Sequence, residues 1–92
     1  MTEQKYGDFR DLEVWNRCQE IRKEIWALCK IFPPEEKYRL SDQMIRSSRS
    51  STVCIAEGYG RFHYQENIQF CRQARGSLYE LIDHLSVAEE CS

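Results

Sequence analysis

Between Asp11 and Phe32 the apolar residues Val14, Cys18, Ile21, Ile25, Leu28 and Phe32 follow one another at alternating steps of four and three. Such steps put all six side chains on one stripe of a helix, whereas a half-buried strand needs an apolar residue at every second position. The spacing predicts a bundle helix over about residues 11–32, with Leu12, Trp15, Trp26 and Cys29 widening the stripe toward a second neighbour. Asp8 or Asp11 is placed to cap its start. The rhythm returns late in the chain. Ile68, Cys71, Arg75, Leu78, Ile82 and Leu85, flanked by Phe70, Ala74, Leu81 and Ala88, predict another helix over about 63–90.

Between these two, Pro33 and Pro34 end the first helix, because proline lacks an amide donor and clashes with the preceding turn. Proline also suits the first turn of a new helix. Leu40, Met44, Ile45, Ser48, Ser51 or Thr52, Ile55 and Ala56 then keep helical spacing to about Gly58, so a middle helix is expected over about 34–58. A break is expected near Leu40 and Ser41, with Ser41 re-capping the helix. The hydroxyl run from Ser47 to Thr52 reads as helix, since serine hydroxyls can bond back to the carbonyl one turn earlier and their small volume admits a neighbour. Gly76, inside the last helix, costs about 1 kcal/mol relative to alanine. A packing notch over Ala74 to Ser77, touching the serine-rich part of the middle helix, is the expected reason. The fold class that follows is all-α, a single up-and-down helical-bundle domain over residues 1–92.

With 41% apolar and 30% charged residues, no stretch approaches the roughly 18 apolar residues that a membrane span requires. The charged N-terminal segment MTEQKYGDFRD lacks the apolar core of a signal peptide, so a cytoplasmic protein is expected. Cys18, Cys29, Cys54, Cys71 and Cys91 are odd in number and form no CxxC pair, which reads as small buried hydrophobes and not as disulfides or zinc ligands. The charge is unevenly spread. Residues 37–75 carry seven basic and three acidic side chains, whereas residues 76–92 carry four acids and no base. A locally basic middle segment is compatible with an anionic partner.

The stretch CIAEGYGRFH, Cys54 to His63, holds two glycines but follows a helix and lacks the GxGxxG or GxxxxGK[ST] spacing that converges amides on phosphates. It reads as a corner, with Gly58 or Gly60 in the left-handed conformation that ends a helix. The corner also delivers Arg61 and His63 to the first turn of the last helix, a place that attracts anions. Arg39, Arg46 and Arg49 fall near one side of the middle helix, and Arg61, Arg72 and Arg75 extend a band suited to phosphate contacts. Tyr59, Phe62 and Tyr64 offer stacking surfaces for bases, or core closure at the bundle's end. Glu57 is expected to pair with an arginine such as Arg75, which interrupts an apolar stripe, in preference to serving acid/base catalysis. No catalytic constellation is seen: His63 and His84 lack metal spacing, the serines lack a nucleophile elbow, and Arg61-Phe62-His63 does not match the helical ribonucleases. No cofactor, metal or small-molecule substrate is implied.

Taken in order, FRDLEVW (Phe9 to Trp15), FPPEEKYRLSDQMIRSSRSS (Phe32 to Ser51), IAEGYGR (Ile55 to Arg61) and ARGSLYEL (Ala74 to Leu81) make the chain resemble the bacterial four-helix bundle proteins of the 23S ribosomal RNA intervening-sequence type. The resemblance implies an antiparallel four-helix bundle, a homopentameric ring or barrel and no known catalytic activity. A related branch accompanies the reverse transcriptases of diversity-generating retroelements, where a basic surface binds nucleic acid and the polymerase. This chain differs by Cys54 where the family has asparagine before IAEG, and around His63 where the family has a serine. It ends at AEECS, where the family turns into a fourth helix: either the sequence is truncated or the three helices cover their open seam with another subunit, and self-association is expected in both cases. Two functions stand at this point: a non-enzymatic oligomeric accessory to RNA or an RNA-handling enzyme, and a protein-interaction module with no nucleic-acid role.

Overall fold

The computed structural model describes residues 7–61 and 63–91, and these contain three long helices and no strand. A 3-10 turn, Phe9–Asp11, leads into α1, Glu13–Cys29. A second 3-10 turn, Pro34–Glu36, and one π-helical turn, Lys37–Ser41, lead into α2, Asp42–Tyr59. Helix α3 runs from Tyr64 to Cys91. The all-α up-and-down class read from the sequence is therefore the observed one.

Helix α2 is the centre of the molecule, with α1 packed on one flank and α3 on the other. The radius of gyration is 14.9 Å, against about 12 Å for a compact domain of this length, and the molecule is only 17 Å thick. One helix with its side chains is about 10–12 Å across, so the three form a flat layer more than a closed barrel of helices. Two core clusters join them. Cys18, Cys54, Ile55 and Ala74 meet at one end, and Ile25, Leu40, Met44 and Leu81 at the other.

Small hydroxyl residues make α2 able to be flanked twice. Ser47, Ser48, Ser51 and Thr52 are all buried. Ser48 donates to the Ile45 carbonyl (2.9 Å), Ser51 to that of Ser48 (2.8 Å) and Thr52 to that of Arg49 (2.9 Å), so burial leaves no hydroxyl unpaired there. Across the interface, Ser77 of α3 donates to Ser50 Oγ at 2.9 Å, which brings the Ala74–Ser77 segment onto the serine-rich run as expected.

Several local expectations are corrected. Gly76 is not part of the notch, since a β-carbon added there meets nothing within 4 Å. The buried line of α3 runs through Ala74 and Leu81, while Cys71, Arg75 and Ile82 of the expected stripe are exposed. Val14 and Ile21 of α1 are likewise exposed, because no described element packs over that side. Asp8 caps the 3-10 turn, accepting from the Arg10 amide at 2.9 Å, and α1 itself starts two residues after Asp11 without a side-chain cap. The π-helical turn is the expected break, yet Ser41 has helical backbone angles and makes no capping bond. Its Oγ is buried without a partner.

Candidate nucleic-acid interface

The outward side of α2 is set by its two flanks. With Ser47, Ser48, Ser51 and Thr52 turned into the layer, Asp42, Arg46, Arg49, Val53 and Glu57 fall within a quarter of the helix circumference at 100° per residue, and all are exposed. Arg39 is exposed in the π-helical turn just upstream. Arg46 Nε lies 3.7 Å from Asp42 Oδ2, an exposed pair worth at most about 1 kcal/mol that leaves the guanidinium open to other anions.

The expected band is brought together only in part. Arg46 and Arg49 share α2, and Arg39 stands in the π-helical turn before it. Arg61, at the corner, points its guanidinium over the Phe70 ring (5.1 Å) and lies 3.8 Å from Glu66 Oε1, so a carboxylate already occupies the first turn of α3. Arg72 stands on the side of α3 opposite buried Ala74, away from α2. Glu57 and Arg75 are both exposed and do not form the expected ion pair. Tyr59 and Tyr64 are exposed, and Phe62 lies outside the described residues.

The corner is built differently from its sequence reading. Gly60 ends α2 at φ −77° and ψ −4°, an ordinary right-handed conformation, with its amide reaching the Ala56 and Glu57 carbonyls at 3.2 Å each. Gly58 is required for another reason. A β-carbon there would lie 2.9 Å from Phe70 Cβ and 2.8 Å from Asn67 Oδ1, so the absence of a side chain lets α3 close against the end of α2.

A second basic surface, not foreseen from the sequence, lies between α1 and α2. A groove of about 270 Å³ is lined by Arg22, Lys23, Trp26, Ile45, Ser48 and Arg49, three cations and no carboxylate. Arg22 Nη1 donates to Thr52 Oγ1 at 2.9 Å, and its guanidinium lies 5.7 Å from the Trp15 ring. Lys30 and Arg49 each approach the Trp26 ring at 5.6 Å. On α1, Trp15, Arg22 and Trp26, with Lys30 at its C-cap, fall within one quarter of the circumference, while Glu13, Glu20 and Glu24 lie on the opposite side. Aromatic and cationic residues on one helical stripe mark the α1 side of the groove in the sequence, whereas Ile45, Ser48 and Arg49 join it only through the packing of α2.

Around it, an apolar pocket of about 490 Å³ holds Cys29, Phe32 and Ile45, and burial pushes the Cys29 thiol up from its ordinary pKa, with its contact to Ser41 pulling the other way. A third hollow, between α2 and α3, sets Arg46 beside Glu80 and is therefore balanced in charge. His84 Nε2 lies 3.2 Å from Glu80 Oε2. All five cysteines are free, and among the described residues no group of three or more His, Cys, Asp or Glu gathers to hold a metal. None of the described helices is long and apolar enough to cross a membrane.

Residues 10–92 match the family model described as 23S rRNA-intervening sequence protein. The match spans nearly the whole chain, and the chain belongs to that family. No curated protein and no solved structure matches it.

Proposed function

We propose that this member of the 23S rRNA-intervening sequence protein family is a non-catalytic, self-associating helical module that works in the cytoplasm beside RNA or an RNA-handling enzyme. The observation that carries the reading is the exposed pair Arg46 and Arg49 on the outward side of α2, with Arg39 exposed in the π-helical turn before it, continuous through Arg49 with a groove that holds no carboxylate. Cations spaced along a helix neutralise successive phosphates, and the resulting affinity depends steeply on salt. Self-association, in a ring of five subunits as the family resemblance implies, is supported by exposed Val14, Ile21 and Ile82, apolar side chains that another helix would cover. An RNA-handling partner such as a reverse transcriptase is compatible with the same basic surface.

The test is binding of a labelled structured RNA across a salt series. The reading expects affinity that falls linearly on a log–log plot, and loss of binding in Arg46→Glu/Arg49→Glu. Arg72→Glu is expected to weaken binding less, because that residue stands away from α2. Absence of binding at low salt in the unaltered chain would remove RNA from the proposal.

The second reading, a protein-interaction module without RNA, is favoured by the same uncovered apolar side chains and by the acidic segment after Gly76. A pull-down repeated with nuclease separates the two: a partner that survives nuclease treatment supports this reading, and one that is lost supports the first.

A further inference from the structure

Arg49 belongs to both basic surfaces, but only one of them carries aromatic rings. The outward side of α2 offers charge alone, with a carboxylate of Asp42 among its arginines. The groove between α1 and α2 offers something else. Arg22, Lys23 and Trp26 of α1 face Arg49 of α2 across it, while Trp15 packs into the core two turns before Arg22 and Lys30 follows one turn after Trp26, both on the same stripe. Trp26 is 47% exposed, so part of its ring is open to a ligand. Among the described residues Arg22, Lys23 and Arg49 have no carboxylate partner, and the acids of α1 lie on its far side.

We propose that this groove is a binding site for unpaired nucleotides, and that a single strand of RNA runs along it with bases against the Trp26 ring and the arginine planes. Phosphates then meet Arg22, Lys23 and Arg49. Each part of the arrangement has a counterpart in single-strand recognition: cations track the backbone, and a flat π face accepts any base because every base has one. Arginine planes serve as stacking surfaces in the same way. A duplex keeps its bases paired and stacked inward, so it gains only the charge contribution and leaves Trp26 uncovered. An acidic peptide would likewise use the cations and leave the ring without a partner of matching shape. The hydrogen bond from Arg22 to Thr52 holds that guanidinium in place before any ligand arrives, while a base that stacks on the indole displaces Lys30 or Arg49 from the face it takes. The inference rests on the RNA reading above and names its site and strand form.

The experiment compares four probes on the unaltered chain, Trp26→Leu, Trp26→Phe and Arg46→Glu: a short oligouridylate, a blunt RNA duplex, a poly-glutamate peptide and inorganic pyrophosphate. Trp26→Leu keeps apolar bulk and removes the π face, while Trp26→Phe keeps a smaller one. Helicity by circular dichroism establishes that each variant is folded. The account expects oligouridylate to bind more tightly than duplex, to lose roughly tenfold with Trp26→Leu, and to recover in part with Trp26→Phe. Pyrophosphate is expected to be indifferent to Trp26. If Trp26→Leu binds oligouridylate as the unaltered chain does while Arg46→Glu weakens it, RNA is bound elsewhere and this groove is overturned, though the function stands. Equal binding of poly-glutamate with the same dependence on Trp26 would make the occupant a peptide and overturn it. No binding of either RNA at low salt would end both readings together.

Discussion

Gly58 of α2 and Phe70 of α3 approach so closely that a β-carbon on the glycine would stand 2.9 Å from the β-carbon of the phenylalanine. The Phe70 β-carbon is fixed by the backbone, so it cannot swing aside as the end of a side chain would. Relief requires the helices to separate at the end where they turn into each other. Gly58→Ala is therefore expected to cost about 2 kcal/mol, within the usual range for overpacking. Thermal unfolding should shift down by roughly 10 °C for a domain this small. An unchanged melting temperature would show that the approach is slack.

Gly76 makes the opposite case in α3. It lies mid-helix, exposed, with open space around it, so alanine adds helix propensity and meets nothing. Gly76→Ala is expected to stabilise by about 1 kcal/mol, measured by urea unfolding. A loss of stability would mean that a surface not described by the three helices rests against that position.

Ser41 holds a buried hydroxyl with no partner, and a buried polar group left unpaired costs about 1–3 kcal/mol. Removing it removes that cost. Ser41→Ala should be neutral or stabilising by about 1 kcal/mol, whereas Ser51→Ala, which deletes a hydroxyl bonded to the Ser48 carbonyl, should cost about 1 kcal/mol. Denaturant midpoints of the two variants, compared side by side, check the contrast.

The cysteines should sort by burial when titrated with a thiol reagent. Cys71 and Cys91 are exposed and are expected to react first, Cys18 and Cys54 only on unfolding, and Cys29 slowly, because burial pushes its thiol above the ordinary value of 9.0. The sign for stability follows. The folded chain holds the Cys29 proton more tightly than the unfolded chain does, so this contribution is complete below pH 9.0 and declines as pH rises beyond it. Cys29→Ala should flatten that alkaline decline, read from unfolding curves on either side of the ordinary thiol value.

The three helices are legible because alternating steps of four and three have no strand interpretation, and the proline pair and the glycine corner mark the joints. The phase of a stripe is harder to read than its period. On α3 both the line through Arg75 and Ile82 and the line through Ala74 and Leu81 keep the rhythm, and only the position of α2 decides which one is buried. Gly76 misled for a related reason, since its neighbours Ala74 and Ser77 do pack while it looks outward. Of the expected phosphate contacts, Arg46 and Arg49 lie three residues apart on one helix, and local spacing suffices to join them. Arg22, Trp26 and Arg49 meet across two helices, so their groove depends on how α1 is rotated against α2. Trp26 counted as an apolar flank from its residue type, and its role as a half-exposed ring between cations follows only from that rotation.

The central claim is a self-associating module that engages RNA, and the mass of the protein in solution, measured by light scattering with and without a short structured RNA, tests both halves at once. The account predicts a mass of several chains, near five, that rises when RNA is added. A mass of one chain, unchanged by RNA, would contradict it.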